Sequence, residues 1–240
     1  MRDYIKQQSV GEVFRNTVEI YFRHLPSIVI PFAVLQLPFL LAQQVAKANH
    51  DTALLLLSTA AGLPLAFFAY GIIVVSISEI CLGSDPSVWR SFKYVFSNVS
   101  WKLAGASLLQ GVIVVVGFVL LIVPGIIFLL WFVFTPEVVI LEGKGGWQAL
   151  SRSKALGSGF QLRTLGVVVL WTIVAALIGG IAGGITGALQ TEPLVMDSID
   201  AIIQAVFQPI LLVSLVLLYY DLRVRKEAYN TTRLSEDLAR

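Results

Sequence analysis

The sequence predicts an all-α, polytopic membrane protein with six transmembrane helices paired as three hairpins. Three observations predict this fold class. First, 57% of the 240 residues are hydrophobic and 13% are charged, whereas about a quarter of the residues in a soluble domain are charged. Second, the mean hydropathy of +0.82 comes from apolar runs long enough to cross the ~30 Å hydrocarbon core of a bilayer. Third, basic residues are concentrated in alternate connections between these runs.

The apolar runs divide a single integral membrane domain, residues 1–240, into six spans. The predicted spans cover residues 25–45, 53–81, 103–123, 126–141, 165–189 and 199–220, and a cytoplasmic tail covers 221–240. Prolines are expected to bend or interrupt the first two spans, at Pro31, Pro38 and Pro64. The first 24 residues carry charges throughout and lack the apolar core of a cleaved signal peptide. The first span is therefore expected to act as its own insertion signal.

The third and fourth spans form one apolar stretch, with no charged residue between Lys102 and Glu137. As a single helix, residues 103–142 would be roughly 60 Å long, about twice the thickness of the bilayer core. The chain must therefore turn back on itself. We predict the break at Pro124-Gly125, because proline disfavours helical geometry in the preceding residue and glycine accepts the dihedral angles of a tight turn.

Each pair of spans is preceded by a predicted amphipathic helix, over residues 9–23, 86–99 and 146–162. In the first of these, Ser9 and Glu12 have the spacing of a capping box, and apolar residues recur at the helical period. We expect this helix to lie at the membrane surface. The alternative is a helix packed on other protein.

The second amphipathic helix is expected to have Asp85 as its N-cap and Pro86 at its first helical position. The third is more weakly amphipathic. The order of elements is that of one unit written three times, which predicts an internal repeat. Residue identity between the units is weak, so the repeat rests on pattern, and the packing of the three hairpins, as a ring or as a linear set, is open.

The distribution of basic residues predicts the orientation. Sixteen of the 17 lysine and arginine residues fall at the N-terminus, in the second and fourth connections or in the tail, and the remaining connections hold only Lys47. The positive-inside rule then places both termini in the cytoplasm. The three amphipathic helices lie on the cytoplasmic face in this topology, where they can meet anionic lipid headgroups. Tryptophans near predicted interfaces support the span boundaries; they are Trp89, Trp101, Trp131, Trp147 and Trp171.

Ionisable residues near the span ends are candidates for function, because a charge inside hydrocarbon is costly. They are Glu79, Glu137, Glu142, Asp200 and Asp221. The first, third and last of these lie within a turn of the predicted cytoplasmic interface, where basic partners such as Arg152 or Arg223 are expected to pair with them. Glu137, one turn deeper and beside Pro136, is the strongest single candidate for a functional residue.

Two patterns of uncharged residues inside the spans also have functional interpretations. Glutamines lie deep in three spans, at Gln36, Gln110, Gln204 and Gln208; they indicate interhelical hydrogen bonds or a pathway for a polar substrate. The fifth span has small residues at four-residue spacing, at Gly179, Gly183 and Gly187 and at Gly180 and Gly184. This spacing lets helices approach closely. Packing within the chain is the simplest interpretation, and association with a second copy or a flexible, ligand-lining helix are the alternatives.

The sequence shows no pattern of a catalytic, cofactor-binding or metal site. It lacks a phosphate-binding glycine loop, a nucleophile elbow and the spacing of zinc ligands, and His24 and His50 are isolated at span ends. We therefore expect a protein that is not an enzyme and uses no cofactor. The expected partners are membrane lipids, and another membrane protein or a second copy through Gly179, Gly183 and Gly187; no nucleic acid is expected.

Three stretches of the chain resemble a broad bacterial group of six-span membrane proteins. They are LIVPGIIFLLWFVFTPEVVILEG, the Ala149-Leu150 and Arg152-Ser153 of ALSRS, and Tyr219-Tyr220-Asp221-Leu222-Arg223 followed by Arg225-Lys226-Glu227. The group includes stand-alone proteins of unknown function and the membrane domain attached to some glycerophosphodiester phosphodiesterases. The resemblance implies a protein of the bacterial cytoplasmic membrane with a role in envelope or lipid biology. These 240 residues contain no carboxylate or histidine cluster of a phosphodiesterase site, so we do not expect that activity.

Two functions follow from these observations. The first is a non-enzymatic scaffold, partner subunit or lipid-interacting module in the bacterial cell envelope. The second is a small transporter or channel for a polar solute or ion, which would use Glu137 and the glutamine-bearing spans. A transport pathway predicts a hydrated polar cavity between spans, whereas a scaffold predicts a tightly packed or lipid-filled interior.

Overall fold

A computed structural model describes residues 4–189 and 192–239. The helices are, in order, α1 Val10–Arg23, α2 Leu25–Ala48, α3 Thr52–Cys81, α4 Val88–Tyr94, α5 Ser100–Leu120, α6 Ile122–Phe132, α7 Thr135–Glu142, α8 Gly146–Gly157, α9 Gln161–Ala188, α10 Pro193–Glu227 and α11 Thr231–Leu238. A π-helical turn, Val95–Val99, joins α4 to α5. Arg2 and Arg240, two of the basic residues in the charge pattern, lie outside the described residues.

Six of the described segments are long and apolar enough to cross a membrane, as the sequence predicts. They are α2, α3, α5, the consecutive α6 and α7, α9, and residues Val195–Glu227 of α10. The most apolar window of each has a mean hydropathy between 2.0 and 2.5. The prolines do not interrupt the first two spans, because α2 continues through Pro31 and Pro38, and α3 through Pro64.

The helices pack tightly at one end of the molecule and separate at the other. Residues 69–81 of α3 and 213–223 of α10 are all buried, and residues 134–141 complete this core. α10 packs against α2, α3 and α9, and α3 packs against α2, α5 and α7. By contrast, only 22% of the apolar window of α5 and 11% of that of α9 is buried. These two helices therefore leave a wide apolar surface of the kind that lipid covers.

The apolar face of α1 packs on the rest of the chain, which corrects the expectation that lipid covers it. The predicted capping box is present, Val13 is fully buried, and α1 contacts α2, α9 and α10. The hydroxyls of Thr17 and Ser214 lie 2.9 Å apart, and the Tyr21 hydroxyl donates to the carbonyl of Val206. Amphipathicity cannot distinguish the two environments, because lipid and the side of α10 are both apolar.

The break between α5 and α6 occurs at Leu121, so the predicted break at Pro124-Gly125 is wrong. Leu121 is extended, with φ −164° and ψ 154°, and Pro124 and Gly125 lie in the first turn of α6. A proline is tolerated there because the first turn leaves its N–H position unbonded. Gly125 serves close packing instead: a Cβ at this position would collide with the ring of Phe118, and one at Gly117 would lie 3.0 Å from the Gly125 Cα.

The fourth predicted span, residues 126–141, is two helices rather than one. α6 ends at Phe132 and α7 begins at Thr135, because Pro136 has no N–H to donate and restricts the residue before it. Lys102 at the start of α5 donates to the carbonyl of Gly143 just after α7, at 3.0 Å. The two ends of the 103–142 stretch therefore meet.

Several other boundaries differ from the sequence-based expectations. α4 begins at Val88 with Ser87 as its N-cap, not Asp85, because the Ser87 hydroxyl accepts from the Arg90 amide. α8 ends at Gly157 rather than residue 162. α9 begins before the predicted span 165–189, and α10 extends beyond both ends of the predicted span 199–220. The tail is folded: α10 continues to Glu227, and α11 packs against α3 and α7.

Candidate functional site

A hydrogen bond and two ion pairs join the N-terminal segment, α9 and α10 around Asp221, which is fully buried. Asp221 accepts hydrogen bonds from the backbone amide of Gln8 at 2.7 Å and from Nε of Arg225 at 3.0 Å. Nη2 of Arg163 lies 3.1 Å from its other carboxylate oxygen. A buried carboxylate is tolerated when it is paired and hydrogen-bonded in this way. We call the end of the molecule around Asp221, Glu142 and Asp237 the charged end.

A second cluster at the charged end joins α7, α8 and α10. Nε of Arg152 lies 2.8 Å from a carboxylate oxygen of Glu142, and its Nη2 also pairs with Glu227. The Tyr219 hydroxyl donates to Glu142 at 3.1 Å, and Lys144 Nζ lies 2.8 Å from it. Burial lowers the pKa of Arg152, but the hydrogen bonds and charges of the two glutamates outweigh burial and leave its pKa raised. The predicted pairing of Glu142 with Arg152 is confirmed.

A third cluster fixes α11 to the end of α10. Nη1 of Arg223 lies 2.9 Å from Oδ2 of Asp237, and the Tyr229 hydroxyl donates to the same oxygen at 2.8 Å. The guanidinium of Arg223 stacks 3.8 Å from the centre of the Tyr229 ring, a cation–π contact. Burial raises the pKa of Tyr229 well above its ordinary value, so its hydroxyl stays a donor at neutral pH.

Acidic and basic groups at the charged end differ in exposure. Glu79, Asp221 and Asp237 are buried, and the side chain of Glu142 is 8% exposed. Many of the basic residues point outward. The exposed ones are Lys6, Arg15, Arg23, Arg90, Lys93, Lys102, Lys154, Lys226 and Arg233. The exposed acids among the described residues of this end are Asp85 and Glu236. Exposed basic residues therefore outnumber exposed acidic ones by nine to two, although the net charge of the chain is only +2.

Glu137, the strongest candidate from the sequence, is fully buried next to the break between α6 and α7. One of its carboxyl oxygens accepts from the Tyr70 hydroxyl of α3, and among the described residues the other oxygen has no hydrogen-bond partner. The break itself is held by Ser153 of α8. Its hydroxyl accepts from the amide of Phe134 at 3.2 Å and donates to the carbonyl of Trp131 at 2.9 Å.

A cleft of about 510 Å³ lies between α9 and α10, on the side of Trp171 away from the charged end. Apolar residues of both helices form its walls, and a row of polar residues on α10 also faces it, at Asp200, Gln204 and Gln208. These polar residues are exposed in the structure. Trp171, which the sequence placed near an interface, is instead 5% exposed and lines the inner part of the cleft.

The small-residue stripe of α9 does not pack within the described chain, which corrects the simplest interpretation of it. A Cβ added at Gly179, Gly183 or Gly187, or at Gly180 or Gly184, would meet no atom of the described residues within 4 Å. Gly179 lines the cleft. The two alternatives, contact with a second copy and a ligand-lining helix, remain.

The glutamines that the sequence places inside the spans are dispersed. Gln36 donates to the carbonyl of Gly62 on α3 at 3.2 Å, which is the interhelical hydrogen bond expected from the sequence. Gln110 is on α5, and of the described residues only α9 and α10 contribute to the cleft that Gln204 and Gln208 line. No group of three or more His, Cys, Asp or Glu residues in the described ranges is arranged to hold a metal ion.

The amino-acid sequence matches the model of one protein family. Residues 62–222, more than half of the chain, match the family model described as "Domain of unknown function (DUF7847)". The chain belongs to the DUF7847 family. No curated protein and no solved structure matches it.

The DUF7847 region begins within α3 and ends near the end of α10. It contains Tyr70, Glu137 and the whole cleft, whereas Gln8, Arg225 and Asp237 of the charged end lie outside it. The family match supplies no link to the glycerophosphodiester phosphodiesterases suggested by the sequence motifs.

Proposed function

We propose that this chain is a non-enzymatic, lipid-interacting module of the bacterial cytoplasmic membrane, with six spans in three hairpins, an internal repeat and both termini in the cytoplasm. The observation that carries this proposal is the exposure asymmetry of the charged end. Glu79, Asp221 and Asp237 are buried and paired inside the protein, whereas nine basic residues of this end are exposed, on α1, α4, α8 and α11 among other elements. Basic groups near a membrane surface attract anionic headgroups by about 1 kcal/mol each.

The ion pairs support this function because they hold the basic helices in fixed positions. Arg152 joins α8 to both α7 and α10, and Asp221 joins the segment before α1 to α9 and α10. Helices fixed in this way present their lysine and arginine side chains as one surface at the end of the spans. That surface is suited to ordering anionic lipids and to supporting a partner protein beside them.

The test is lipid analysis of the full chain purified in native nanodiscs, which retain the lipids around it. We expect anionic phospholipids to be enriched around the wild-type protein relative to the whole membrane. The triple variant Arg15→Glu, Arg23→Glu and Lys93→Glu should lose this enrichment. Lys47→Glu, at the opposite end of the spans, is the control and should retain it. Equal lipid composition around all three proteins would contradict the proposal.

A transporter or channel is the second candidate, and Glu137 is the observation that favours it. A buried carboxyl with one unpartnered oxygen in the described structure, beside a broken helix, is a feature of some transport sites. The dispersal of the glutamines argues against a shared pathway. Proton and potassium flux into protein-containing liposomes decides between the two: we expect no flux above empty liposomes, whereas flux that Glu137→Gln abolishes would establish transport.

A further inference from the structure

The cleft between α9 and α10 is in the half of the span away from the charged end. At about 1.5 Å per residue, Asp200 lies roughly 30 Å along α10 from Asp221, and Trp171 lies roughly 12 Å along α9 from Arg163. Arg163 and Asp221 are paired, so they lie at about the same depth in the membrane, and both distances are measured from that depth. The cleft therefore runs from the far surface of the hydrocarbon core to near its middle.

Polar groups at this depth need partners that lipid tails cannot provide. Asp200, Gln204 and Gln208 follow at four-residue spacing, so they form one row about 12 Å long on the side of α10 that faces the cleft. An unpaired amide or carboxylate in hydrocarbon is strongly unfavourable. The row therefore indicates a ligand with polar groups of its own.

Trp171 forms the inner end of the cleft. Its indole is 5% exposed and lines the cleft, and its Nε1 atom is covered by protein, so the ring presents an apolar surface there. Phe14 of α1 stacks on the indole ring, 4.9 Å between ring centres, which fixes its orientation.

The volume of the cleft, about 510 Å³, is within the range of about 300–1,000 Å³ that is typical of ligand pockets. It accommodates the glycerol region and one acyl chain of a lipid, while the second chain stays in the surrounding bilayer. Lipid is the favoured occupant because the cleft lies within the hydrocarbon core, where lipid surrounds the helices. The walls, which include Ile178, Phe207 and Leu211, suit an acyl chain.

We propose that the α9–α10 cleft binds one phospholipid of the leaflet opposite the charged end, with an ammonium headgroup at Asp200. A carboxylate at the mouth favours a headgroup with N–H donors over one with an additional negative charge. Gln204 and Gln208 contact the glycerol and ester region, and an acyl chain extends along the apolar walls of the cleft toward Trp171. This site goes beyond the proposed function, because it lies on the other side of the membrane and selects a different headgroup.

The probes are phosphatidylethanolamine and phosphatidylcholine with identical acyl chains. The two lipids differ in their headgroups, because only phosphatidylethanolamine has N–H donors. Native mass spectrometry of the full chain, delipidated in detergent and titrated with each lipid, measures the first bound molecule. We expect one phosphatidylethanolamine per chain, bound roughly ten-fold more tightly than phosphatidylcholine. Asp200→Asn should reduce this preference to about two-fold or less.

Occupancy of the cleft is tested by a matched pair of substitutions. Gly179→Leu fills the cleft and should abolish binding of the first lipid, whereas Gly184→Leu, on another face of the same helix and also in open space, should leave it unchanged. Equal affinity for both lipids, or equal binding by the two leucine variants, would overturn the proposal. Either result would leave the anionic enrichment at the charged end unaffected, so the two proposals fail separately.

Discussion

At the scale of single residues, Arg152 has the largest predicted effect on stability, because it pairs with two acids at once. Its side chain is 22% exposed and lies against Glu142 and Glu227. Arg152→Met leaves both carboxylates without this partner, and breaking a partly buried pair costs about 2–4 kcal/mol. We expect a clear fall in the melting temperature of the detergent-solubilised protein.

The control for this prediction is Arg90→Met. Arg90 also pairs with a glutamate, Glu79 at 3.4 Å, but its side chain is 64% exposed, and exposed pairs contribute only about 0–1 kcal/mol. A melting temperature that falls no further in Arg152→Met than in Arg90→Met would contradict this prediction, because the partly buried network would then contribute no more than an exposed pair.

Tyr70 and Glu137 form a pair that a double-mutant cycle can resolve. Tyr70→Phe removes the donor described for the Glu137 carboxyl, which we expect to cost about 1–3 kcal/mol because the buried carboxyl is left unsatisfied. Replacing both partners, as Tyr70→Phe with Glu137→Met, removes the unsatisfied group as well. The double variant should therefore melt at a higher temperature than Tyr70→Phe alone; additive losses would argue that the two side chains do not interact.

At the scale of elements, the break between α6 and α7 depends on one serine of a neighbouring helix. Ser153→Ala removes both hydrogen bonds that hold Trp131 and Phe134, which should cost about 1–3 kcal/mol and speed hydrogen exchange of the α7 amides. Ser151→Ala, an exposed site on the same helix, is the matched control. Unchanged exchange in Ser153→Ala would show that the break is stable without this contact.

The start of α1 should respond to acid. The Ser9 amide donates to Glu12 at 2.7 Å, and mainly for this reason the pKa of Glu12 lies below its ordinary value of 4.5. The capping contribution is therefore present above pH 4.5 and is lost as the pH falls through the lowered pKa. We expect the first-turn amides of α1 to be less protected from hydrogen exchange at pH 3 than above pH 4.5. Glu12→Gln, which does not titrate, is the control and should show no such difference. Equal protection of the wild-type amides under the two conditions would contradict this account.

The sequence predicts the existence of the elements better than their surroundings. Apolar runs and capping residues locate the long helices and α1, because these signals are local. The break at Leu121 is not predictable in this way, since it depends on the contact of Gly117 with Gly125 across two helices. The packing of α1 on the other helices is not predictable for a related reason, because an apolar stripe fits lipid and protein equally well.

At the scale of the whole molecule, the candidate sites divide between the two ends. The sequence identifies Glu142 and Asp221 as paired acids, because acidic and basic residues cluster at the same span ends. It does not identify the cleft, although Asp200, Gln204 and Gln208 have helical spacing, because the separation of α9 from α10 is a tertiary property. The sequence also does not identify Tyr70, which lies in an apolar run and whose hydroxyl donates to Glu137 only in the folded chain.

The proposed lipid-interacting function depends on the placement of the charged end in the cytoplasm, with the connections alternating across the membrane. Single cysteines introduced into a Cys81→Ala background test this placement in intact cells. The outer positions are His50→Cys, Leu121→Cys and Glu192→Cys, and the inner positions are Ser84→Cys, Lys144→Cys and Thr232→Cys. All six residues lie between or after the spans.

The measurement is labelling by a membrane-impermeant maleimide before and after the cells are opened. We predict labelling of the three outer positions in intact cells, and labelling of the three inner positions only after lysis. Labelling of Ser84→Cys or Thr232→Cys in intact cells, or two consecutive connections on the same side, would contradict the six-span topology and the cytoplasmic location of the charged end.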